Sequence, residues 1–249
     1  MPAAPTLSQR AAASIQHPLT RALLALTFTT GLIDGVSYLG LGHVFTANMT
    51  GNIVLLGFGL AGGTGLPVLA PIVSLVAFLL GALAGGVLAA RRGDRHTAQV
   101  SSALVIEIGL IAVAIVVSAA VSVRPRTVAG DGVIGLLAFA MGVRNATVRR
   151  IAVPDLTTTV LTLTLTGLAA DSPLAGGTGK GSARRVAATG AMLAGALVGA
   201  VELKTSLALP LATAAALALI TWLVYVPAAR AEAAGARESA SSMKTSARA

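Results

Sequence analysis

Along the chain, apolar stretches of membrane-crossing length alternate with short polar or charged breaks. Six stretches are long: about 22–43, 68–90, 100–122, 128–148, 186–203 and 206–227. Each is near the ~20 residues that a helix needs to cross ~30 Å of hydrocarbon. Two further stretches, 49–61 and 157–169, are shorter. Thirteen helical residues reach only about 20 Å at ~1.5 Å per residue. Both are also polar for lipid contact. One begins Met49-Thr50-Gly51-Asn52, and the other carries Thr157, Thr158, Thr159, Thr162, Thr164 and Thr166. The pattern predicts an all-α integral membrane protein with six transmembrane helices and two short re-entrant or half-membrane helices.

Composition agrees with that class. Of 249 residues, 55% are hydrophobic and 11% charged, with a mean hydropathy of +0.84. A soluble domain carries about 25% charged residues to cover its surface. The chain has no cysteine, which excludes a disulfide scaffold. Its 3% aromatic content argues against a base-stacking nucleic-acid binder. The net charge of +9 reads as topology, because cations gather on the cytoplasmic edges of membrane spans.

Charge also bears on the two short stretches. If all eight stretches cross, with the N-terminus inside, 11 cations lie inside and 7 outside. If the short ones dip in and return, the split is 15 to 3, with only Arg124, Arg126 and Lys204 outside. The positive-inside rule favours six crossings, with both termini cytoplasmic in a bacterial plasma membrane; eight crossings remain the alternative. Residues 1–20 and 230–249 read as cytoplasmic disordered tails. Residues 21–229 read as one transmembrane domain.

The domain carries an internal echo. Leu26-Thr-Phe-Thr-Thr-Gly31 matches Leu137-Ala-Phe-Ala-Met-Gly142 at an offset of 111, which sets Asp34 against Asn145 and Thr46 against Thr157. Gly81-Ala-Leu-Ala-Gly85 matches Gly195-Ala-Leu-Val-Gly199 at an offset of 114. Repeat A then spans 21–122 and repeat B 128–227. Each has three crossings, and an odd number turns the second repeat upside down, as in many secondary transporters.

Gly31-x-x-Asp34, Gly42-x-x-Phe45, Met49-Thr50-Gly51-Asn52 and Leu56-Gly57 resemble the first-half signature of the YoaK-like family of bacterial multi-pass membrane proteins. Gly142-x-x-Asn145-Ala146, Arg150, Pro154 and Thr157-Thr158 resemble its second-half signature. The resemblance covers roughly 20–230. It implies a multi-pass architecture and supplies no substrate. Arg144 departs from it, since an uncharged residue is expected there.

Asp34 falls within the first long span, where a carboxylate is costly and must face the bundle. It reads as an ion- or proton-coupling group, or as a structural acceptor for the first short segment. Asn48, Thr50, Gly51 and Asn52 bring polar groups and backbone freedom to an interrupted helix, as a binding site needs, or as a helix cap needs. Thr158, Thr162 and Thr166 share one helical face. They suit solute contact or bonding to their own helix at i−4. Asn145 joins the candidates as the counterpart of Asp34. Glu107, the second acid within a span, reads as a coupling site or, by preference, as a partner of Arg91, Arg92 or Arg95 near the cytoplasmic edge. Gly81, Gly85, Gly195 and Gly199 are small-residue pairs that let helices pack closely; a homodimer is a second use of the same faces.

No enzyme constellation stands out. His17, His43 and His96 are scattered, and no zinc motif is present. Gly176–Gly181 lacks the Ser or Thr that a phosphate loop needs after its Lys. No cofactor, metal or nucleic acid is expected, and the bilayer is the one sure partner. The leading reading is a small secondary transporter or facilitator of a polar solute with a coupling cation. A non-transporting membrane scaffold is the alternative, and a membrane-embedded enzyme the third.

Overall fold

A computed structural model describes residues 14–63, 65–93, 95–151 and 161–246, with side chains to 235. The described residues form eight α-helices: α1 (Pro18–Gly40), α2 (Met49–Leu60), α3 (Leu69–Arg92), α4 (His96–Ala120), α5 (Val128–Ile151), α6 (Leu161–Ala170), α7 (Ser182–Glu202) and α8 (Ala208–Ser246). Among them, α1, α3, α4, α5, α7 and α8 are long and apolar enough to cross a membrane, and α2 and α6 are the two shorter apolar helices. Helix α8 runs on to Ser246, where the sequence reading placed a disordered tail from 230. The Ala, Glu, Arg and Lys residues of that stretch are good helix formers, and they carry the helix past Pro227.

The helices begin where local chemistry allows. Pro18 starts α1 with its φ already set, and the His17 ring accepts the Leu19 N–H at 3.2 Å. Asn48 caps α2 by accepting the Gly51 N–H at 3.2 Å. Between α1 and α2 the chain turns back through Gly42 and His43, both with positive φ (102° and 61°).

Contacts fix the helix directions. We call the end where α1 starts proximal and the other distal. Gly31, Gly35 and Gly40 of α1 lie against Met192, Ala196 and Leu203 in turn, so α1 and α7 are parallel. Gly81 and Gly85 of α3 lie against Phe139 and Val143, so α3 and α5 are parallel. Gly42 meets Pro125, and Arg126 donates to the Gly65 carbonyl at 2.6 Å, which gathers three connections at the distal end. His17 lies 3.4 Å from Glu232, so α8 returns to the proximal end. Helices α1, α4 and α7 thus run one way, and α3, α5 and α8 the other. Since α1 and α3 are antiparallel, the chain between them enters and leaves at the distal end. Helix α6 lies at the proximal end, where Gly167 and Asp171 meet Arg185 at the start of α7.

The closest packings join the halves. A Cβ on Gly31 would collide with the Met192 carbonyl, and one on Gly142 with the Phe78 carbonyl. A Cβ on Gly195 would collide with the Phe28 carbonyl, and one on Gly81 with the Phe139 carbonyl. Each pair of contacts corresponds residue by residue at the offsets of 111 and 114. The four glycines read as packing residues in the sequence lie on these faces.

Two apolar clusters fill the interior. One, nearer the proximal end, holds Leu19, Leu23, Leu104, Val148 and Ala218. The other, nearer the distal end, holds Ile33, Ile111, Leu137, Met141 and Ala214. Between them lie buried Thr29, Thr30, Glu107 and Arg144.

The glycine contacts make a direct test. Gly142→Leu is expected to destabilise the bundle by about 1–3 kcal/mol or more, because the side chain must displace the Phe78 backbone. Gly86→Leu, with nothing near its Cβ, should leave the detergent melting temperature unchanged. Equal losses would remove the argument for close contact.

Candidate functional site

The distal re-entry is where helical hydrogen bonding fails within the bundle. Asp34 lies six residues before the end of α1, about 9 Å deep at ~1.5 Å per residue. The chain folds back to that depth, and Asp34 Oδ1 accepts the Thr46 N–H at 2.9 Å and the Ala47 N–H at 2.8 Å. Asn52 is fully buried and bonds both backbone groups of Phe45. Its Oδ1 accepts the N–H at 2.8 Å, and its Nδ2 donates to the carbonyl at 2.7 Å. Ser74, from α3, donates to the same carbonyl at 2.6 Å and receives a second bond from Asn52 at 3.1 Å. Every one of these backbone groups lacks a helical partner, and three side chains supply one.

Aromatic packing completes the turn. The Phe45 ring stacks on Tyr38 with centroids 4.9 Å apart. It also occupies the space that a Cβ on Gly51 would need. Beside it lies a cleft of ≈ 300 Å³ lined by Asp34, Tyr38, Phe45, Asn48, Met192 and Ala196, among others.

Deeper in the bundle, Arg144 of α5 is 1% exposed and Glu107 of α4 0% exposed. They form an ion pair at 3.3 Å. Arg144 Nη1 also donates to the Leu26 carbonyl at 3.0 Å and to Thr29 Oγ1 at 2.7 Å, both on α1. One guanidinium therefore ties three helices together. The sequence reading paired Glu107 with Arg91, Arg92 or Arg95 and counted Arg144 among the edge cations. The structure corrects both. Glu107 is eleven residues into α4, about 16 Å from its start, beyond reach of the end cations. Arg92 instead donates to the Ala98 carbonyl at 3.0 Å.

The remaining candidates are spread out. Thr50 is exposed and Asn48 half-buried at the head of α2. Asn145 donates to the Met141 carbonyl of its own helix at 2.8 Å. Thr158 lies outside the described residues. Thr162 is exposed, and its carbonyl accepts the Thr166 hydroxyl at 2.9 Å, the i−4 bond that threonine makes in its own helix. The buried threonine of α6 is Thr164, off the expected stripe. Helix α2 packs on α3 and helix α6 on α7, so the two short helices occupy opposite ends. Among the described residues no cluster of His, Asp or Glu could hold a metal ion.

The chain matches the family described as Protein of unknown function (DUF1275) over residues 22–224. It belongs to that family. It is 33% identical over 149 residues to the UPF0700 transmembrane protein YoaK of Bacillus subtilis (strain 168), a match covering 60% of this chain and 65% of that protein. No solved structure matches it. A DUF1275 chain with a transmembrane relative and six apolar helices of crossing length is a multi-pass membrane protein.

The latch can be tested by truncation. Asn52→Ala orphans the Phe45 N–H and leaves the Phe45 carbonyl with Ser74 alone, and Asp34→Ala orphans the Thr46 and Ala47 N–H groups. Each orphaned group should cost about 1–3 kcal/mol. Asp34→Asn keeps an acceptor oxygen and should retain most of the stability. Melting temperatures of the three variants in one detergent check the order, and an Asp34→Asn variant as unstable as Asp34→Ala would refute it.

Proposed function

We propose that this DUF1275 protein is a small secondary transporter or facilitator of a polar solute in the bacterial plasma membrane. The observation that carries this reading is the break in α-helical structure at 41–48, held open inside the bundle by Asp34, Asn52 and Ser74 beside a ≈ 300 Å³ cleft. Irregular backbone at membrane depth is tolerated where it is buried in protein or lines a cavity. Such breaks are where secondary transporters hold their solutes.

Two further features support it. The glycine contacts recur between the halves at fixed offsets, and α1 runs opposite to its counterpart α5. That is the relation expected of an inverted repeat, with α2 re-entering from one side and α6 from the other. Charge supports an orientation. Arg21, Arg91, Arg92, Arg95, Arg149, Arg150, Lys180, Arg184 and Arg185 lie at or near the proximal ends of their helices, whereas Arg124, Arg126 and Lys204 are distal. The positive-inside rule makes the proximal end cytoplasmic.

Transport is read directly as uptake of radiolabelled amino acids, sugars, polyols, nucleosides and small carboxylates by the purified protein in proteoliposomes. One class is expected to be taken up, and Met192→Trp, which crowds the cleft, should suppress that uptake. No response above protein-free vesicles for any class would sink the transport reading in favour of a membrane scaffold. For orientation, a single Cys at 204 should react with an impermeant reagent in intact cells, and one at 95 or 180 should not. Labelling at 95 would overturn the assignment.

A further inference from the structure

Taken together with Asp34, five residues along α1 from Thr29, the polar layer between the two apolar clusters contains more acid than base. Glu107 and Arg144 face each other at 3.3 Å, and Asp34 lies close enough for its charge to act on Arg144. Two carboxylates and one guanidinium carry one excess negative charge when all three are ionised. An uncompensated charge sealed in a membrane interior is expensive. Something positive must balance it.

The surroundings decide what that is. A metal cation needs a shell of oxygen ligands. Around Glu107 the charged neighbour is Arg144, from α5. Helix α3 brings Arg91 and Arg92 only at its proximal end. Helix α8 brings Tyr225 opposite Thr97, ten residues along α4 from Glu107, and Arg230 and Glu232 beyond it. Helix α1 brings Asp34, which acts through Arg144. A proton needs no shell.

The hydrogen bonds decide where it goes. Asp34 as a carboxylate accepts two backbone N–H bonds that hold the re-entrant turn. Glu107 accepts none, and both its oxygens are buried. Arg144 is held by Leu26 and Thr29 whether or not Glu107 is charged.

We infer that the cluster is a one-proton site, in which Glu107 takes up the proton and Asp34 keeps its charge. Protonation converts the Glu107 carboxylate to a neutral acid and leaves Arg144 balanced by Asp34; release of the proton restores the pair with Arg144. Resting on the transport reading above, this makes the proton the coupling ion.

Infrared difference spectroscopy of the full-length protein in lipid nanodiscs tests the site without any solute. A pH step should reveal a protonated-carboxyl band that shifts in heavy water. The band should vanish in Glu107→Gln and persist in Asp34→Asn. Should Glu107→Gln fail to fold, wild-type protein carrying 13C-glutamate must show the band displaced. A band that belongs to Asp34, an undisplaced band, or no buried carboxyl band at any pH overturns the proposal. Exchange of potassium for sodium at fixed ionic strength should leave the melting temperature unchanged. A sodium-dependent rise that disappears in Glu107→Gln would replace the proton with a metal cation. If the band behaves as expected while the protein carries no solute, the proton site stands and the transport reading fails.

Discussion

A polar group inside a lipid-facing bundle has no water to turn to, so the chain itself must supply its partner. Arg144 meets this demand seven residues inside the proximal end of α5. Its guanidinium reaches one carbonyl, one hydroxyl and one carboxylate on two other helices. The two apolar clusters close above and below it. Removing the arginine would leave Glu107 charged and unmatched, whereas removing a leucine from either cluster would leave a cavity. The first loss is of the larger kind, because breaking a buried pair strands a charge.

The same demand shapes the re-entrant turn. Phe45, Thr46 and Ala47 cannot bond along a helix, and Asp34, Asn52 and Ser74 reach them from α1, α2 and α3. The turn is therefore a fixed feature of the bundle. The cleft beside it is lined by the stacked Phe45 and Tyr38 together with Met192 and Ala196 of α7. Two polar systems thus share α1: the latch at Asp34 and the charged layer at Thr29. They are five residues apart, about 8 Å along the helix.

Much of this was legible in the sequence, and the exceptions are instructive. The six long helices follow from apolar length, and the cap at Asn48 from a local pattern. Asp34 was visible as a costly residue. Its partners lie twelve and thirteen positions on, and periodicity says nothing about how a broken segment folds back. Arg144 was hidden for another reason. A cation near Arg149 and Arg150 reads as part of an edge cluster. Its depth emerges only when α5 is followed to Ile151 and Glu107, 37 positions upstream, is seen opposite. Ser74 was a single small polar residue in an apolar run, with no pattern to mark it. Of the threonine stripe, Thr166 makes the i−4 bond that was one of its two readings, while the buried threonine of α6 is Thr164, off the stripe, because burial follows the packing face on α7 and not the hydroxyl spacing.

The glycine faces have a consequence for what counts as a folding unit. Helix α1 meets α7 and helix α3 meets α5, backbone to backbone, and each of these partnerships takes one helix from either half. Within a half, α3 and α4 touch far less. Neither half can therefore stand as a folding unit by itself. Cut at the 121–127 connection, the first half would hold two smooth glycine surfaces with nothing against them. Their covers belong to α5 and α7, so the 121–127 connection delivers to each glycine face the partner it needs.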